Sequence, residues 1–154
     1  MAYKLGVYKK LFPIFRSLAD KNVTLAGDFN IAHTELDVYN AKQNQNNTMF
    51  TPEEREQITK ILSLGYTDTF RYKYPEKNSY TWWPYMNNLR ERDIGWRIDY
   101  CFVTKSLKPL IEDAFTQRET LGSDHAPYGI ILDKPVEITE RPTYVKTKPQ
   151  AGLF

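Results

Sequence analysis

The stretch that decides the fold is WRIDYCFVT, residues 96–104. Large apolar side chains take every second position in it, which is the period of a β-strand with one face in the core. The inward positions are Ile98, Tyr100 and Phe102, and the outward positions are Arg97, Asp99 and Cys101. Acids are uncommon in strands, so Asp99 lies either on a solvated face or in a polar site.

Further strands are predicted on both sides of this one in sequence. Residues 23–26, VTLA, form a short apolar run that ends at Gly27, as expected of a strand buried on both faces. Residues 79–83, SYTWW, are β-branched and aromatic, and 127–132 are largely apolar. These segments predict short strands that end or begin next to polar residues.

Helical patterns separate the strands. Residues 3–20 have apolar side chains at helical spacing, although Pro13 is expected to kink or divide that helix. A second helix is predicted over 52–64, with Thr51 as its N-cap, and a short helical turn over 106–111. Strands and helices in one chain of this kind predict an α/β (α+β) class.

Length and composition limit the number of domains and the cellular compartment in which the chain is expected. The chain has 154 residues and a mass of 18.1 kDa, which favours one domain over 1–133, followed by a flexible, Pro-containing tail over 134–154. No apolar run is long enough for a membrane span, and residues 1–10 show no secretory signal. With Cys101 as the single cysteine, we expect a structural thiol and an intracellular, cytoplasmic setting.

Charge gives a further limit. Lys and Arg number 21 and Asp and Glu 19, a formal net charge of +2. Binding to nucleic acid through bulk charge is therefore not predicted, and any basic surface must be local.

Three polar clusters are the candidate site residues. Asp28 and Asn30 follow the strand at 23–26, where they either form a site or only an Asx turn. Asp124 and His125 precede the strand at 127–132, and their diverging side chains would serve different partners. Together with Asp99 they suit metal-assisted cleavage of a phosphoester: oxygen ligands for Mg²⁺, a base for water and a donor to phosphate.

Five motifs, taken in order, resemble the C-terminal half of the exodeoxyribonuclease III family of the endonuclease/exonuclease/phosphatase superfamily. They are GDFNIAHTELD (27–37), FTPEER (50–55), YTWW (80–83), GWRIDY (95–100) and GSDHAP (122–127). The resemblance implies half of a four-layered α/β sandwich, with one mixed, mostly antiparallel sheet and flanking helices.

The resemblance also implies an activity and residue roles. It implies a Mg²⁺-dependent DNA-repair nuclease, with Mn²⁺ as a substitute, that cuts 5′ to abasic sites and trims 3′ ends of double-stranded DNA. Asp28 would orient or deprotonate the attacking water, or protonate the leaving oxygen, and Asn30 would contact the phosphate. Asp99 would orient His125, which stabilises charge on the phosphate. The implied metal ligands are Asp28, Asn30, Asp124 and His125.

Residues that would face DNA follow from the same resemblance. An apolar pocket for a flipped-out abasic sugar would be lined by Trp82, Trp83, Trp96 and Ile98, although a core position remains open for one of the first two. The DNA backbone would be contacted by Asn40, Asn44, Arg90, Arg92 and Arg97, unless the arginines belong to a solvated turn.

The family pattern has a first half for which residues 1–26 offer no matching motif. We therefore expect a cation at Asp28 and Asp124 to lack protein ligands, and an apolar sheet face to need an N-terminal half or a second copy as cover. Two alternatives compete with the nuclease: a non-catalytic DNA-binding remnant, and a phosphatase of the same superfamily.

Overall fold

The computed structural model describes residues 2–133, and the tail predicted over 134–154 lies outside the described residues. Helices and short strands follow one another along this part of the chain, and every strand pair is antiparallel. The predicted class of antiparallel strands with flanking helices is confirmed. No helix among these residues combines the length and apolar character needed to cross a membrane.

The strand predicted within residues 96–104 lies at the centre of a three-stranded sheet. β3 (Asp99–Val103) pairs with β1 (Thr24–Asp28) on one side and with β2 (Thr67–Asp68) on the other. The register places Asp28 directly opposite Asp99. Two acids that are distant in sequence therefore lie side by side at one end of the sheet.

A second sheet consists of β4 (Ile111–Thr116) and β5 (Tyr128–Leu132). The strands thus form two sheets, where a single sheet was predicted. The sequence pattern does not predict β4, because the acids Glu112 and Asp113 interrupt its apolar residues and are uncommon in strands.

Residues 79–83 were predicted as a strand, and this prediction is wrong. Trp82 makes isolated bridges to two separate segments, one at Trp96 and one at His125, so no continuous ladder forms. The aromatic, extended segment instead joins the loop before β3 to the loop before β5.

The prediction that the first strand is buried on both faces is also wrong. Four of the five residues of β1 are exposed, and only Leu25 is half-buried. The physical reason is position: within the described residues β1 is an edge strand, paired with β3 alone.

The first helix, α1 (Ala2–Leu18), continues through Pro13 and is not divided by it. A proline removes one backbone hydrogen bond. Tyr8 and Phe15, on either side of it, are both buried in the same core cluster, which also includes Tyr100. Packing on both sides of Pro13 therefore keeps the two parts of the helix in line with the core.

The remaining helices are shorter. α3 (Pro52–Ser63) begins where predicted, with the Thr51 hydroxyl accepting a hydrogen bond from the Glu54 backbone N–H at 3.3 Å. The predicted turn over 106–111 contains a 3₁₀ turn, Lys108–Leu110. The other short helical segments are Glu35–Asp37, α2 (Ala41–Asn44) and α4 (Thr69–Lys73).

The core surrounds β3 on both faces. Tyr100 and Phe102 stack at 4.9 Å between ring centroids and pack under α1 and α3, while Val103 packs with Leu107. Cys101, predicted on an outward position, is buried as well, and burial raises the pKa of its thiol to about 11. Cys101 is therefore an unreactive structural thiol.

Candidate active site

Asp28 and Asn30 form a tight turn at the end of β1. The Asp28 carboxylate accepts a hydrogen bond from the Asn30 backbone N–H at 2.7 Å and one from the Asn30 side-chain amide at 3.3 Å. Asn30 adopts a left-handed backbone conformation with φ of 56°. The structure thus contains the Asx turn that the sequence offered as one alternative, and this turn brings the two side chains together.

Asp99 and His125 form a pair beside that turn. The Nδ1 atom of His125 lies 2.9 Å from Oδ2 of Asp99. Burial raises the pKa of Asp99 above its ordinary value, and the nearby Asp28 carboxylate acts in the same direction. A half-buried carboxylate next to a histidine and a second acid is typical of a catalytic centre.

Asp124 has a separate partner, as the diverging side chains of neighbouring residues predict. Its Oδ2 atom accepts a hydrogen bond from the indole N–H of Trp82 at 2.9 Å. This hydrogen bond lowers the pKa of Asp124 below the ordinary value. Asp124 is therefore an ionised carboxylate with a fixed orientation, next to the Asp99–His125 pair.

Trp82 and Trp96 form the half-buried aromatic wall of the site. They face each other across a backbone bridge and pack against a cluster that contains Ile98. Ile98 itself is only 1% exposed, so it lies beneath the wall rather than on its surface.

Trp83 does not line this wall: of the two tryptophans, it takes the core position that the sequence left open for one of them. It is 1% exposed and packs with Tyr80 and Ala126 in a separate cluster. Neighbouring residues of an extended segment point to opposite sides, and Trp82 takes the side of the site.

Arg97 is wrongly predicted to face the DNA backbone. Its guanidinium is fully buried, donates to Asp37 Oδ1 at 2.8 Å, and binds Asp68 with two hydrogen bonds at 2.7 and 3.1 Å. Arg71 contacts the same Asp37 oxygen at 2.6 Å. The sequence pattern does not indicate that these four residues form a unit, because Arg97 lies 60 positions from Asp37 and 29 from Asp68.

The other two arginines differ in accessibility. Arg90 donates to the backbone carbonyl groups of Arg118, Thr120 and Ser123, so its guanidinium holds the loop that leads to Asp124. Arg92, in contrast, is exposed. Of the predicted arginines, Arg92 is exposed, Arg90 is half-buried and Arg97 is fully buried.

The two predicted asparagines lie together near α2. Asn40 is exposed and has a left-handed backbone, with φ of 51°. The side-chain amide of Asn44 donates to the carbonyl oxygens of Asn40 and Tyr39 at 3.1 and 3.0 Å. Asn44 therefore stabilises the turn that contains Asn40.

The donors of this site fit a hard cation that is shared with a substrate. Asp28, Asn30 and Asp124 offer the oxygen ligands that Mg²⁺ prefers. Across residues 2–133, no three His, Cys, Asp or Glu side chains are grouped closely enough to hold a metal by themselves. Mg²⁺ commonly binds one or two carboxylates and completes its shell with water and phosphate, so a small number of protein carboxylates fits its ordinary binding mode.

Comparison with known proteins identifies the family. The sequence pattern of the Endonuclease/Exonuclease/phosphatase family matches residues 11–125. This chain belongs to that family. The matched segment contains every candidate catalytic residue from Asp28 to His125.

Curated relatives of this Endonuclease/Exonuclease/phosphatase-family chain are DNA-acting enzymes. An exodeoxyribonuclease of Bacillus subtilis is 47% identical over 114 residues, which cover 73% of this chain and 45% of that protein. The DNA repair nuclease APEX1 of Danio rerio is 44% identical over 115 residues, covering 74% of this chain and 37% of that protein. The chain thus spans less than half the length of these relatives, and its predicted resemblance to exodeoxyribonucleases is confirmed.

Solved structures of the family share the fold. A Neisseria 3′ phosphatase bound to a product DNA hairpin superposes with a TM-score of 0.83 at 29% identity, covering 86% of this chain and 54% of that one. An AP endonuclease from Archaeoglobus fulgidus superposes with a TM-score of 0.81 at 28% identity, covering 86% and 55%. The predicted α/β fold of this family is confirmed.

Proposed function

We propose that this chain carries the phosphate-cleaving residues of a Mg²⁺-dependent nuclease, which incises double-stranded DNA 5′ to abasic sites and trims 3′ ends. One observation carries the proposal: Asp28 and Asp99 face each other at the ends of two paired strands, with His125 bonded to Asp99. The DNA-repair nucleases among the relatives support DNA as the substrate.

His125 and Asp99 act on the phosphate. As an acceptor, the Asp99 carboxylate keeps a proton on Nδ1 of His125 and fixes the plane of the ring. The Nε2 atom is then free to donate to a phosphate oxygen on which negative charge develops. We assign His125 to this role rather than to the metal, because imidazole is a poor ligand for Mg²⁺.

Asp28 and Asn30 act on the attacking water and the phosphate. The Asp28 carboxylate, held by two hydrogen bonds from Asn30, serves as the base that takes a proton from water. The Asn30 amide contacts a phosphate oxygen from the same turn.

Mg²⁺ would be held by Asp124, Asp28 and Asn30 together with water and the DNA phosphate. When bound, the cation would neutralise charge on the phosphate and its leaving oxygen. Mn²⁺, which prefers similar ligands, would substitute for it.

The aromatic wall supports selection of abasic DNA. A deoxyribose without its base is small, and in this proposal the half-buried rings of Trp82 and Trp96 would contact it. Arg92 and Asn40, which are both exposed, would contact the flanking DNA backbone.

A partner completes the site in this proposal. β1 is exposed and pairs on one side within the described residues, and the chain covers about half of the structures it resembles. A first half of the domain, or a second copy of the chain, would cover this face and add ligands for the cation.

The test is cleavage of a duplex oligonucleotide with one abasic site in the presence of Mg²⁺. It is run with the chain alone, and with the chain in place of the matching segment of the Bacillus subtilis exodeoxyribonuclease. We expect at least one of these two proteins to incise the DNA 5′ to the abasic site. The Asp28→Asn and His125→Asn variants of that protein should lose the incision activity. Binding without cleavage in both forms would favour the DNA-binding remnant.

A second substrate is DNA that ends in a 3′ phosphate, which the structural similarity to a 3′ phosphatase favours. If the protein released inorganic phosphate from such an end and did not incise abasic DNA, the result would favour a 3′ phosphatase activity over the abasic-site endonuclease activity.

A further inference from the structure

We propose that Lys4 is a positioning residue for Asn30, holding the backbone of the Asp28–Asn30 turn from the first turn of α1. This role rests on the function proposed for that turn. Lys4 lies outside the segment that matches the family pattern, which begins at residue 11.

The geometry consists of two contacts from one ammonium group. Lys4 Nζ donates to the backbone carbonyl oxygen of Asn30 at 2.8 Å and to Glu54 Oε1 at 2.7 Å. The ammonium thus joins the site turn to α3.

Glu54 fixes the ammonium in place. Its side chain is 1% exposed, and its second oxygen accepts hydrogen bonds from the backbone and the hydroxyl of Thr51 at 3.2 and 3.0 Å. Burial raises the pKa of Glu54, but the bonds from Lys4 and Thr51 lower it below the ordinary value. A buried, ionised carboxylate with one cation as partner keeps that cation at a defined position.

A second contact from the same helix acts on the preceding residue. The hydroxyl of Tyr8, one turn after Lys4, donates to the Phe29 carbonyl oxygen at 2.6 Å. The carbonyl groups of two successive residues, Phe29 and Asn30, are therefore both held from α1.

The backbone of Asn30 gains from such support. Its φ of 56° lies in the left-handed region, which non-glycine residues populate sparsely although Asn tolerates it better than most, so contacts on its carbonyl group favour that conformation. Without the bond from Lys4, we infer that the turn samples extended conformations, which move the Asn30 amide away from Asp28.

The experiment compares nuclear magnetic resonance signals of the Asn30 backbone and side-chain amides in four variants of the full chain. Lys4→Met removes the ammonium, and Lys4→Met combined with Glu54→Gln removes it without leaving a buried charge unpaired. Lys4→Arg retains the cation, and Lys10→Met changes an exposed lysine of the same helix as a control. We expect displaced Asn30 signals in the first two variants, and signals close to those of the parent in the last two.

Cleavage of abasic DNA, in the form that shows activity, provides the second readout. We expect the double variant to lose about tenfold or more in kcat with KM nearly unchanged, because a misplaced phosphate contact affects the reaction more than binding. Unchanged Asn30 signals in the double variant would overturn the proposal. The signals do not depend on cleavage, so failure to cut DNA both by the chain alone and by the chain within the Bacillus subtilis exodeoxyribonuclease would refute the nuclease and leave the test of Lys4 valid.

Discussion

His125 Nδ1 lies 2.9 Å from Asp99 Oδ2, and this contact joins the end of β3 to the loop before β5. Asp99 also lies directly opposite Asp28 in the register of the sheet. One carboxylate thus connects the two clusters that the sequence places at different strand ends.

Replacing Asp99 by Asn removes the acceptor that orients His125. We expect Asp99→Asn to lower kcat for abasic-site incision by about 10²-fold or more, with a small change in KM, because a misdirected imidazole no longer donates to the phosphate. Single-turnover kinetics measure the loss. Asp20→Asn, at an exposed position, is the control, and equal rates for both variants would contradict the assignment.

The buried Asp37–Arg97–Asp68 network makes stability depend on pH. Burial raises the pKa of Asp37, but Arg97 and Arg71 more than offset this, so its pKa lies well below the ordinary value. A depressed pKa stabilises the fold above the unfolded-state value of about 3.9, and this contribution is lost as pH falls towards the folded-state value.

Asp37→Asn should therefore lower the free energy of unfolding near neutral pH by about 3–5 kcal/mol, because Arg97 is left partly unpaired in the core. The difference from the parent should shrink as the pH is lowered below about 4. Urea unfolding at a series of pH values measures both. A constant difference across the series would show that the Asp37 charge is not the source of the effect.

Trp82→Phe keeps an aromatic ring in the wall and removes the indole N–H that binds Asp124. We expect the Mg²⁺ concentration for half-maximal activity to rise by about tenfold, since partners of a ligating carboxylate set its orientation. Titration of incision with Mg²⁺ gives this value. Trp96→Phe, which leaves Asp124 untouched, should change it little, and a similar rise in both variants would exclude the hydrogen bond as the cause.

Arg90→Met should loosen the loop that it holds through three carbonyl groups, at Arg118, Thr120 and Ser123. We expect faster amide hydrogen exchange over residues 118–123 than in the parent, because the loop loses its hydrogen-bond donors. Arg92→Met is the matched control: it should leave exchange unchanged and weaken DNA binding with a smaller salt dependence. Equal exchange in the two variants would contradict the role of Arg90.

The sequence predicted the local turn at Asp28 and Asn30 better than it predicted the burial of the residues around that turn. Asp28 and Asn30 were placed together because they are two residues apart, and a local turn does bring them together. Trp83 and Arg97 were assigned to the DNA surface from the same motifs, yet both are buried. A motif identifies chemical groups, and their exposure depends on segments that the motif does not contain.

What the sequence determined by itself is local: the period of β3, the N-cap of α3 at Thr51, and the polar residues at strand ends. These follow from interactions between residues a few positions apart. Tertiary structure alone decided that Asp28 faces Asp99, that Arg97 closes a buried ion network, and that Lys4 reaches Asn30. Each of these contacts joins segments far apart in the chain, and packing of helices and sheet around β3 sets their distance.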